Sequence, residues 1–402
     1  MRAYNVRWIY NRNILEQAER WYWQRLLSEE QIVTVRRAYP VEFRQTNGFI
    51  EIGLFLFTTV AILAAYLLPA SVFSALLTDQ KTYGLFNVAF GVGIGIIGQV
   101  LINQRLLYRN GIDNAFVVTL TGFLAFGLNQ FLPNGLSVAT HCLVTLPLLL
   151  LLLWYYGDTL LAFFTLATFY TFIFDGLLRL GWRKDSVLPF VLMGVSLMLY
   201  LGIRQLIRSY PKQVYYTDPL NLAQWISLIM LAANGNYFVV RELNGVLLKP
   251  SLIGAGPMAA PELSLPWLFW LLTFIIPTLY LWQGFLKKNR MLLILGVLGW
   301  IAALMTVREY VGLVSLNIAL ALGGLTLIAI AVAGIQYLRS GTPDRPKGGF
   351  TDRPDDDSPN EFLSTAGTLT SIQATTEAQH TPQNDVRFGG GNFGGAGSGD
   401  TY

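Results

Sequence analysis

The feature that most limits what this chain can fold into is a nearly continuous series of apolar runs from about Ile50 to Leu338. Runs such as Leu316–Tyr337 carry no charge over about 20 residues, which is the length a helix rising about 1.5 Å per residue needs to cross the hydrocarbon of a bilayer. The composition agrees, because 13% of the residues are charged, against about 25% in an ordinary soluble domain. The sequence therefore predicts an all-α, polytopic transmembrane helical bundle.

Apolar length, and the charges and turn residues between the runs, predict about ten spans. The transmembrane helical domain covers residues 50–338, and the spans lie near 50–69, 84–102, 113–131, 136–156, 159–179, 187–207, 220–240, 264–286, 291–307 and 312–338. Only Gly157 and Asp158 separate the fourth span from the fifth, so this pair requires a tight helical hairpin.

The two ends of the chain differ from this domain in composition. Residues 1–49 contain the capping box Ser28-Glu29-Glu30-Gln31, which predicts a cytosolic amphipathic helical hairpin. Residues 339–402 are rich in Gly, Ser and Asp and predict a disordered tail, because such a segment has too little apolar surface to offset its ordering entropy.

Lysine and arginine predict the orientation, because short loops rich in these residues stay on the cytoplasmic side of a membrane. The first 49 residues carry eight arginines. If they are cytoplasmic, the same side receives Arg105, Arg109, Arg204, Arg208, Lys212, Lys287, Lys288 and Arg290. The cluster Arg179, Arg183 and Lys184 falls on the other side and is the exception. Ten spans place both termini in the cytoplasm. No nucleic-acid role is predicted, because the basic residues do not gather in a solvent-facing patch.

Gly93-Ile94-Gly95-Ile96-Ile97-Gly98 matches the dinucleotide-binding pattern G-x-G-x-x-G. The match lies inside the second predicted span instead of between a strand and a helix, so it predicts no nucleotide cofactor. Small residues four apart let another membrane helix approach closely. We expect helix-packing faces of this kind at Gly91 and Gly95, and at Ala319 and Gly323.

Ionisable groups within spans are costly in lipid and are therefore functional candidates. Asp175 is the deepest carboxylate and has Arg179 four residues later, so it predicts either a structural ion pair or a proton or cation site. His141 has no second His, Cys or carboxylate at metal-ligand spacing. The single cysteine, Cys142, excludes an internal disulfide. The sequence predicts no metal site and no cofactor.

The seventh predicted span is interrupted by Asn234-Gly235-Asn236. These residues are poor helix formers and could unwind the span, exposing backbone groups of the kind with which transporters bind substrates. The alternative is a helix that ends near Ala233, with a polar turn at the membrane interface. The candidate polar site comprises Asp175, Asn234, Asn236, Arg241 and Glu242.

Two segments, Leu26-Leu27-Ser28-Glu29-Glu30-Gln31 and Ile50-Glu51-Ile52-Gly53, carry a family resemblance. The chain resembles bacterial polytopic predicted membrane proteins of unknown function, in which a short helical domain with the first pattern precedes a span that begins like the second. The similar region covers residues 14–68. The Gly-rich ending, Phe388–Gly397, looks like the tails of some bacterial envelope proteins that carry the TPM domain, a domain this chain lacks. The resemblance implies the cytoplasmic (inner) membrane of a bacterium, and it brings no activity and no site residue.

Three classes of function stay open. The first, favoured by the two soluble appendages, is a non-enzymatic membrane component that organises protein partners through residues 1–49 or 388–402. The second is a secondary transporter of a small solute, lined by the candidate polar site. The third is a membrane-embedded transferase acting on a lipid-linked substrate, with Arg241, Glu242, Arg308 and Glu309 as its polar residues. The lipid bilayer is a partner in all three. A polar cavity reaching Asn234 and Asp175 would favour transport, and a solid apolar interior would favour the first class.

Overall fold

A computed structural model describes residues 2–43, 48–180, 187–209, 214–248, 263 and 265–311, together with six helical positions between 321 and 336. Across these ranges the chain is helical and contains no strand. The helices are α1 (Val6–Trp23), α2 (Glu29–Ala38), α3 (Gly48–Val72), α4 (Gln80–Arg105), α5 (Ile112–Asn129), α6 (Val138–Tyr156), α7 (Thr159–Arg179), α8 (Val187–Ser209), α9 (Thr217–Gly235), α10 (Tyr237–Leu248), α11 (Pro266–Lys287) and α12 (Arg290–Val311). A 3₁₀ turn, Val214–Tyr216, precedes α9.

Eight of these helices are long and apolar enough to cross a membrane, namely α3 to α8, α11 and α12. The prediction of an all-helical fold with many apolar helices of membrane-spanning length is thereby confirmed for the described residues. The seventh predicted span, 220–240, is divided between α9 and α10, and neither of these helices is among the eight. The tenth predicted span lies outside the described residues apart from the six positions, and the predicted tail lies wholly outside them.

Glycines on one face of α4 bring this helix close to α5. A Cβ atom on Gly91 would lie 3.1 Å from the Cβ atom of Phe123, and one on Gly95 would lie 3.0 Å from Leu120. These distances are tighter than ordinary van der Waals contacts, so a larger side chain at either position would push the helices apart. The second predicted packing pair, Ala319 and Gly323, lies outside the described residues.

The connection between α6 and α7 is as short as the sequence predicts. Gly157 has a φ angle of +61°, a backbone conformation that favours glycine, and the carboxylate of Asp158 accepts a hydrogen bond from the Leu161 N–H at the start of α7 (2.9 Å). The hydroxyl of Tyr215 shares its one proton between the carbonyl oxygens of Tyr155 (2.7 Å) and Tyr156 (2.9 Å) at the end of α6. This tyrosine therefore caps α6 and joins it to the 3₁₀ turn.

Helices α1 and α2 form an antiparallel hairpin. The Gln31 side chain accepts from the Ser28 N–H (2.8 Å) and the Ser28 hydroxyl accepts from the Gln31 N–H (3.3 Å), which is the predicted capping box. The far end of the hairpin exposes apolar side chains: Trp21 is 45% exposed, Trp23 71% and Leu26 58%. We call Trp21, Trp23 and Leu26 the hairpin tip.

The helix ends gather at two faces of the bundle. The N-terminal face carries residues 2–43, the α4–α5 and α6–α7 connections and the 3₁₀ turn Val214–Tyr216. These parts contact one another; for example, the Ala3 N–H donates to the Tyr155 carbonyl (3.1 Å). The opposite face carries the α3–α4 and α5–α6 connections and the junction of α9 with α10.

Candidate functional site

Asp175 lies near the end of α7 and joins this helix to α6. Its Oδ2 atom accepts hydrogen bonds from the Ala139 N–H in the first turn of α6 (2.8 Å) and from Nε of Arg179 (2.9 Å). The Arg179 side chain is 57% exposed and that of Asp175 is 20% exposed. The predicted ion pair with Arg179 is present, and the proton or cation site at Asp175 stays a prediction.

His141 lies one turn into α6 and is bound to a neighbouring amide. Its Nδ1 atom is 2.7 Å from Oδ1 of Asn129 at the end of α5. Among the residues that the structure describes, no three His, Cys, Asp or Glu side chains are grouped so as to hold a metal ion. The contact of His141 therefore joins two helices.

The predicted interruption of the seventh span is a break at Asn236. Helix α9 ends at Gly235, Asn236 has an extended backbone, and α10 begins at Tyr237. Side chains from two other helices bind the groups at the break: the Tyr237 N–H donates to Oγ1 of Thr273 (2.9 Å), and Oδ1 of Asn236 accepts from the hydroxyl of Thr306 (3.1 Å). Asn236, Thr273 and Thr306 are all buried. The break is therefore a packed junction at which α9, α10, α11 and α12 meet. Its polar groups are hydrogen-bonded to other protein groups, as a membrane interior requires.

Arg241 and Glu242 lie just beyond this break, beside three aromatic rings. The guanidinium carbon of Arg241 is 4.6 Å from the centroid of the Tyr310 ring, and Nη1 donates to the Tyr237 hydroxyl (3.1 Å). The Tyr310 hydroxyl donates to Oε1 of Glu242 (3.1 Å), and Trp270 stacks on Tyr237 with centroids 4.9 Å apart. This arrangement ties α10 to α11 and α12 through cation–π contacts and hydrogen bonds.

The residues of the predicted polar site are thus divided among separate contacts. Asn234 donates from Nδ2 to the Met230 carbonyl of its own helix (2.7 Å), and Asp175 serves the contact of α6 with α7. Arg308 and Glu309, the remaining polar residues of the transferase hypothesis, are exposed. Two cavities, of about 220 Å³ and about 310 Å³, lie elsewhere and reach neither Asn234 nor Asp175.

A polar network that sequence reasoning missed lies on the N-terminal face, with Asp113 at its centre. Asp113 is in the first turn of α5 and is fully buried, with 0% exposure. Its carboxylate accepts three hydrogen bonds, from the N–H of Arg109 (2.8 Å), the N–H of Asn110 (2.9 Å) and the hydroxyl of Tyr4 (3.0 Å). A buried carboxylate is tolerated when it is bound in this way. Asp113 therefore fixes both the α4–α5 loop and the N-terminal segment.

Two further carboxylates join α9 to this loop and α3 to the first turn of α5. Arg109 forms an ion pair with Asp218 in the first turn of α9, and Nδ2 of Asn114 donates to Oε1 of Glu51 on α3 (3.3 Å). The loop is tightly bent, since Arg109 has a φ angle of +51° and Gly111 one of +85°. The network thus connects α3, α5 and α9 around the α4–α5 loop.

The N-terminal segment is inserted into this face of the bundle. Ala3 is 2% exposed, and its carbonyl accepts a hydrogen bond from Nε2 of Gln99 on α4 (3.0 Å). The guanidinium of Arg2 lies over the rings of Tyr215 and Tyr216, 4.8 Å and 5.2 Å from their centroids. Together with the Tyr4 hydrogen bond, these contacts hold the hairpin on the membrane domain.

The electrostatics of this face follow from burial. The pKa of the Tyr4 hydroxyl is raised well above its ordinary value, mainly because the group is buried and secondly because the Asp113 carboxylate is close to it. Burial also raises the pKa of Asp158, although the hydrogen bond from the Leu161 N–H opposes the shift. Burial, with Tyr216 nearby, raises the pKa of Tyr215. These shifts favour the neutral form of each group, as expected of groups that join parts of a fold.

The signal for this network lies in the topology. Arg109, Asp113, Asp158 and Asp218 all stand at span ends that an alternating series of helices places on one face. Each one, taken alone, is an ordinary charged residue near a helix end. Their convergence depends on which helices are neighbours, which the periodicity of a single sequence does not give.

In the part of the chain that the structure describes, the fold is that of an all-helical protein with eight apolar helices long enough to cross a membrane. No family model, no curated protein and no solved structure matches this chain. A functional assignment therefore depends on the contacts that the helices make.

Proposed function

We propose that this protein is a non-enzymatic membrane component that binds a protein partner through its N-terminal hairpin. The observation that supports it is the anchoring of the hairpin: residues 2–4 are held by contacts to α4, α5, α6 and the 3₁₀ turn, so the hairpin is a fixed part of the membrane domain. Its free end exposes Trp21, Trp23 and Leu26. Aromatic side chains exposed together on a rigid element are typical of binding surfaces.

We further propose that the N-terminal face is cytoplasmic, in the inner membrane of a bacterium, and that ten spans place both termini there. The basic residues at the ends of α4, α8 and α11 support this orientation. The charges of Arg204 and Arg208 act on Lys287, so the basic ends of α8 and α11 are close together. The resemblance to bacterial membrane proteins of unknown function supports the same compartment.

A photo-crosslinking experiment tests the partner proposal. A photoreactive residue at Gln24, beside the hairpin tip, should give one discrete adduct with another polypeptide in native membranes, and the same residue at Asn134 on the opposite face should not. Replacing Trp21, Trp23 and Leu26 together with serine should remove the adduct without lowering the amount of protein. Equal adducts from Gln24 and Asn134 would contradict the proposal. A variant lacking residues 340–402 tests the second predicted route to a partner.

A secondary transporter of a small solute is the second candidate, because helices broken within the membrane domain are typical of transporters. The break at Asn236 supports it, and the occupation of that break by Thr273 and Thr306 opposes it. Hydrogen exchange distinguishes the two roles. A transporter exposes the break to a water-filled cavity, so the amides of residues 236–241 should exchange faster than those in the middle of α11. A packed junction protects both sets of amides alike.

A further inference from the structure

A groove between α3, α4 and α5 opens toward lipid in the half of the bundle near the opposite face. It encloses about 310 Å³ and is lined by Leu63, Tyr66, Tyr83, Asn87, Thr119, Gly122, Phe123 and Phe126. This volume is at the lower end of the range of ligand pockets, about 300–1,000 Å³. Leu63 is 46% exposed and Phe126 is 47% exposed, so the mouth of the groove faces the acyl chains of the surrounding bilayer.

The groove exists because α3 contacts its neighbours at few points. Only 11% of the apolar window of α3 is buried, against 44% of that of α5. Near the N-terminal face, the Glu51 side chain meets Asn114. Near the opposite face, the Tyr66 ring packs on Phe90 and Phe123, with centroids 5.1 Å and 4.8 Å away. Beside this second contact, Gly122 leaves open space, because a Cβ atom there would meet nothing within 4 Å.

Three polar side chains at the base of the groove, Tyr66, Tyr83 and Asn87, are joined by hydrogen bonds. Oδ1 of Asn87 can only accept, and the Tyr66 hydroxyl donates to it (3.2 Å), while Nδ2 of Asn87 donates to the Tyr83 carbonyl (2.8 Å). The Tyr66 hydroxyl is also the donor in its contact with the Tyr83 hydroxyl (3.2 Å). Its one proton is therefore shared between Asn87 and Tyr83, and the Tyr83 oxygen accepts. The proton of Tyr83 is then the one that an acceptor in the groove can take.

The depth of Tyr83 in the membrane indicates which acceptor its hydroxyl would meet. The N-cap of α4 is Asp79, and four residues of helix advance by about 6 Å. Taking the start of the apolar helix α4 as the edge of the hydrocarbon puts Tyr83 close to the boundary between headgroups and hydrocarbon. The ester carbonyls of a diacyl phospholipid lie at this boundary, and tyrosine is enriched there. The apolar remainder of the groove, from Leu63 to Phe126, matches an acyl chain.

We infer that this groove is a binding site for one diacyl phospholipid, with an acyl chain between α3 and α5 and an ester carbonyl that accepts a hydrogen bond from Tyr83. The lipid fills the space that the sparse contacts of α3 leave open. It occupies a specific site on the lipid-facing surface, and Gly122 is the residue that keeps this site free.

Native mass spectrometry with 1-palmitoyl-2-oleoyl phosphatidylglycerol as the probe tests the site. The Gly122→Leu side chain extends into the open groove and should remove one retained lipid from the purified protein. Gly53→Leu is the matched control, because Gly53 is also a helical glycine at which a Cβ atom would meet nothing within 4 Å, and it lies outside the groove. The Gly53→Leu protein should retain lipid as the unchanged protein does. Equal retention by all three proteins would overturn the inference.

A second arm tests the hydrogen bond. Tyr83→Phe should weaken retention of the ester lipid by about fivefold, the effect of one hydrogen bond of ordinary strength. The diether analogue lacks the carbonyl, so its retention should be low in both proteins and the same in both. If the ester and diether lipids bind the unchanged protein equally, the role of Tyr83 is wrong.

A measurement on the unchanged protein does not depend on how the variants fold. A phosphatidylglycerol with a photoreactive diazirine in one acyl chain, reconstituted with the protein, should form adducts concentrated on residues 119–126 and 63–66. Labelling spread evenly over exposed positions such as Leu56 and Leu67 would show bulk lipid contact only and would reject a specific site.

Discussion

Replacing Gly111 with alanine tests how α3 is joined to the polar network. Gly111 has φ +85° and ψ −40°, a region that side chains with a Cβ atom avoid. A Cβ atom there would overlap the carbonyl oxygen of Glu51 and lie 3.0 Å from the backbone nitrogen of Phe55. Both are backbone atoms of α3, so no side-chain rotation relieves the contact. The helix itself has to move away from α5.

The magnitude follows from two terms. An alanine held at positive φ costs about 1–2 kcal/mol, and moving α3 breaks the hydrogen bond from Asn114 to Glu51, which contributes about 1–2 kcal/mol. We therefore expect Gly111→Ala to lower the free energy of unfolding by about 3 kcal/mol. Gly53→Ala is the control on the same helix. A Cβ atom at Gly53 meets nothing within 4 Å, so this change should raise the free energy of unfolding by about 0.5–1 kcal/mol.

Thermal unfolding in a mild detergent measures both changes. The single cysteine, Cys142, is partly buried and reacts with a fluorogenic maleimide as the bundle opens. Gly111→Ala should lower the unfolding midpoint and Gly53→Ala should leave it equal or slightly higher. Midpoints that shift by the same amount in the same direction would refute the close approach of α3 to the α4–α5 loop.

Three further predictions concern groups at the two faces. The raised pKa of Tyr4 means that the folded state keeps this proton more firmly than the unfolded chain, so the contribution of Tyr4 to the free energy of unfolding should be constant below about pH 10 and fall as the pH rises above it. Tyr4→Phe should therefore make the fall in an alkaline unfolding series less steep, and Tyr215 keeps a part of it. At pH 7 the same change should cost about 1.5–3 kcal/mol because Asp113 loses a donor. The raised pKa of Asp158 means that its negative charge opposes folding above about pH 4. Asp158→Asn keeps the helix cap and should leave the thermal unfolding midpoint at pH 7 equal or higher, whereas Asp158→Ala should lower the free energy of unfolding by about 1 kcal/mol. A lower midpoint for Asp158→Asn than for Asp158→Ala would contradict the burial argument. Asp175→Ala should lower the yield of folded protein more than Arg179→Leu, because only Asp175 also binds the start of α6. The double variant should give the same yield as Asp175→Ala. Additive losses would exclude the ion pair between Asp175 and Arg179.

Local patterns predicted much of the fold. The eight membrane-length helices follow from runs of apolar residues, and the Ser28 capping box follows from four consecutive residues. The tight connection at Gly157 could be predicted as well, because two long apolar runs with two residues between them allow only a hairpin.

The seventh span shows where local reasoning stops. Asn234-Gly235-Asn236 predicts an interruption, but whether the chain leaves the membrane there or starts a new helix depends on Thr273 and Thr306. These threonines are on α11 and α12, and their hydroxyls supply the partners that let α10 begin directly after the break. No pattern near Asn236 contains that information.

The polar network on the N-terminal face shows the same limit more strongly. Tyr4 and Asp113 are 109 residues apart in the chain, and neither departs from what is usual at its position. An aspartate near the start of a helix is a common capping residue. Its partner could be identified only once the N-terminal segment was seen between α4, α5 and α6.

Cysteine accessibility tests most directly the central claim that this bundle crosses a membrane with the N-terminal hairpin on one face. In a Cys142→Ala background, single cysteines replace Gln24 at the hairpin, and Ser74 and Asn134 at the opposite face, all three of which are exposed. A membrane-impermeant maleimide applied to sealed vesicles should label Gln24→Cys from one side only, and both Ser74→Cys and Asn134→Cys from the other side only. Labelling of all three from the same side, without detergent, would contradict the account.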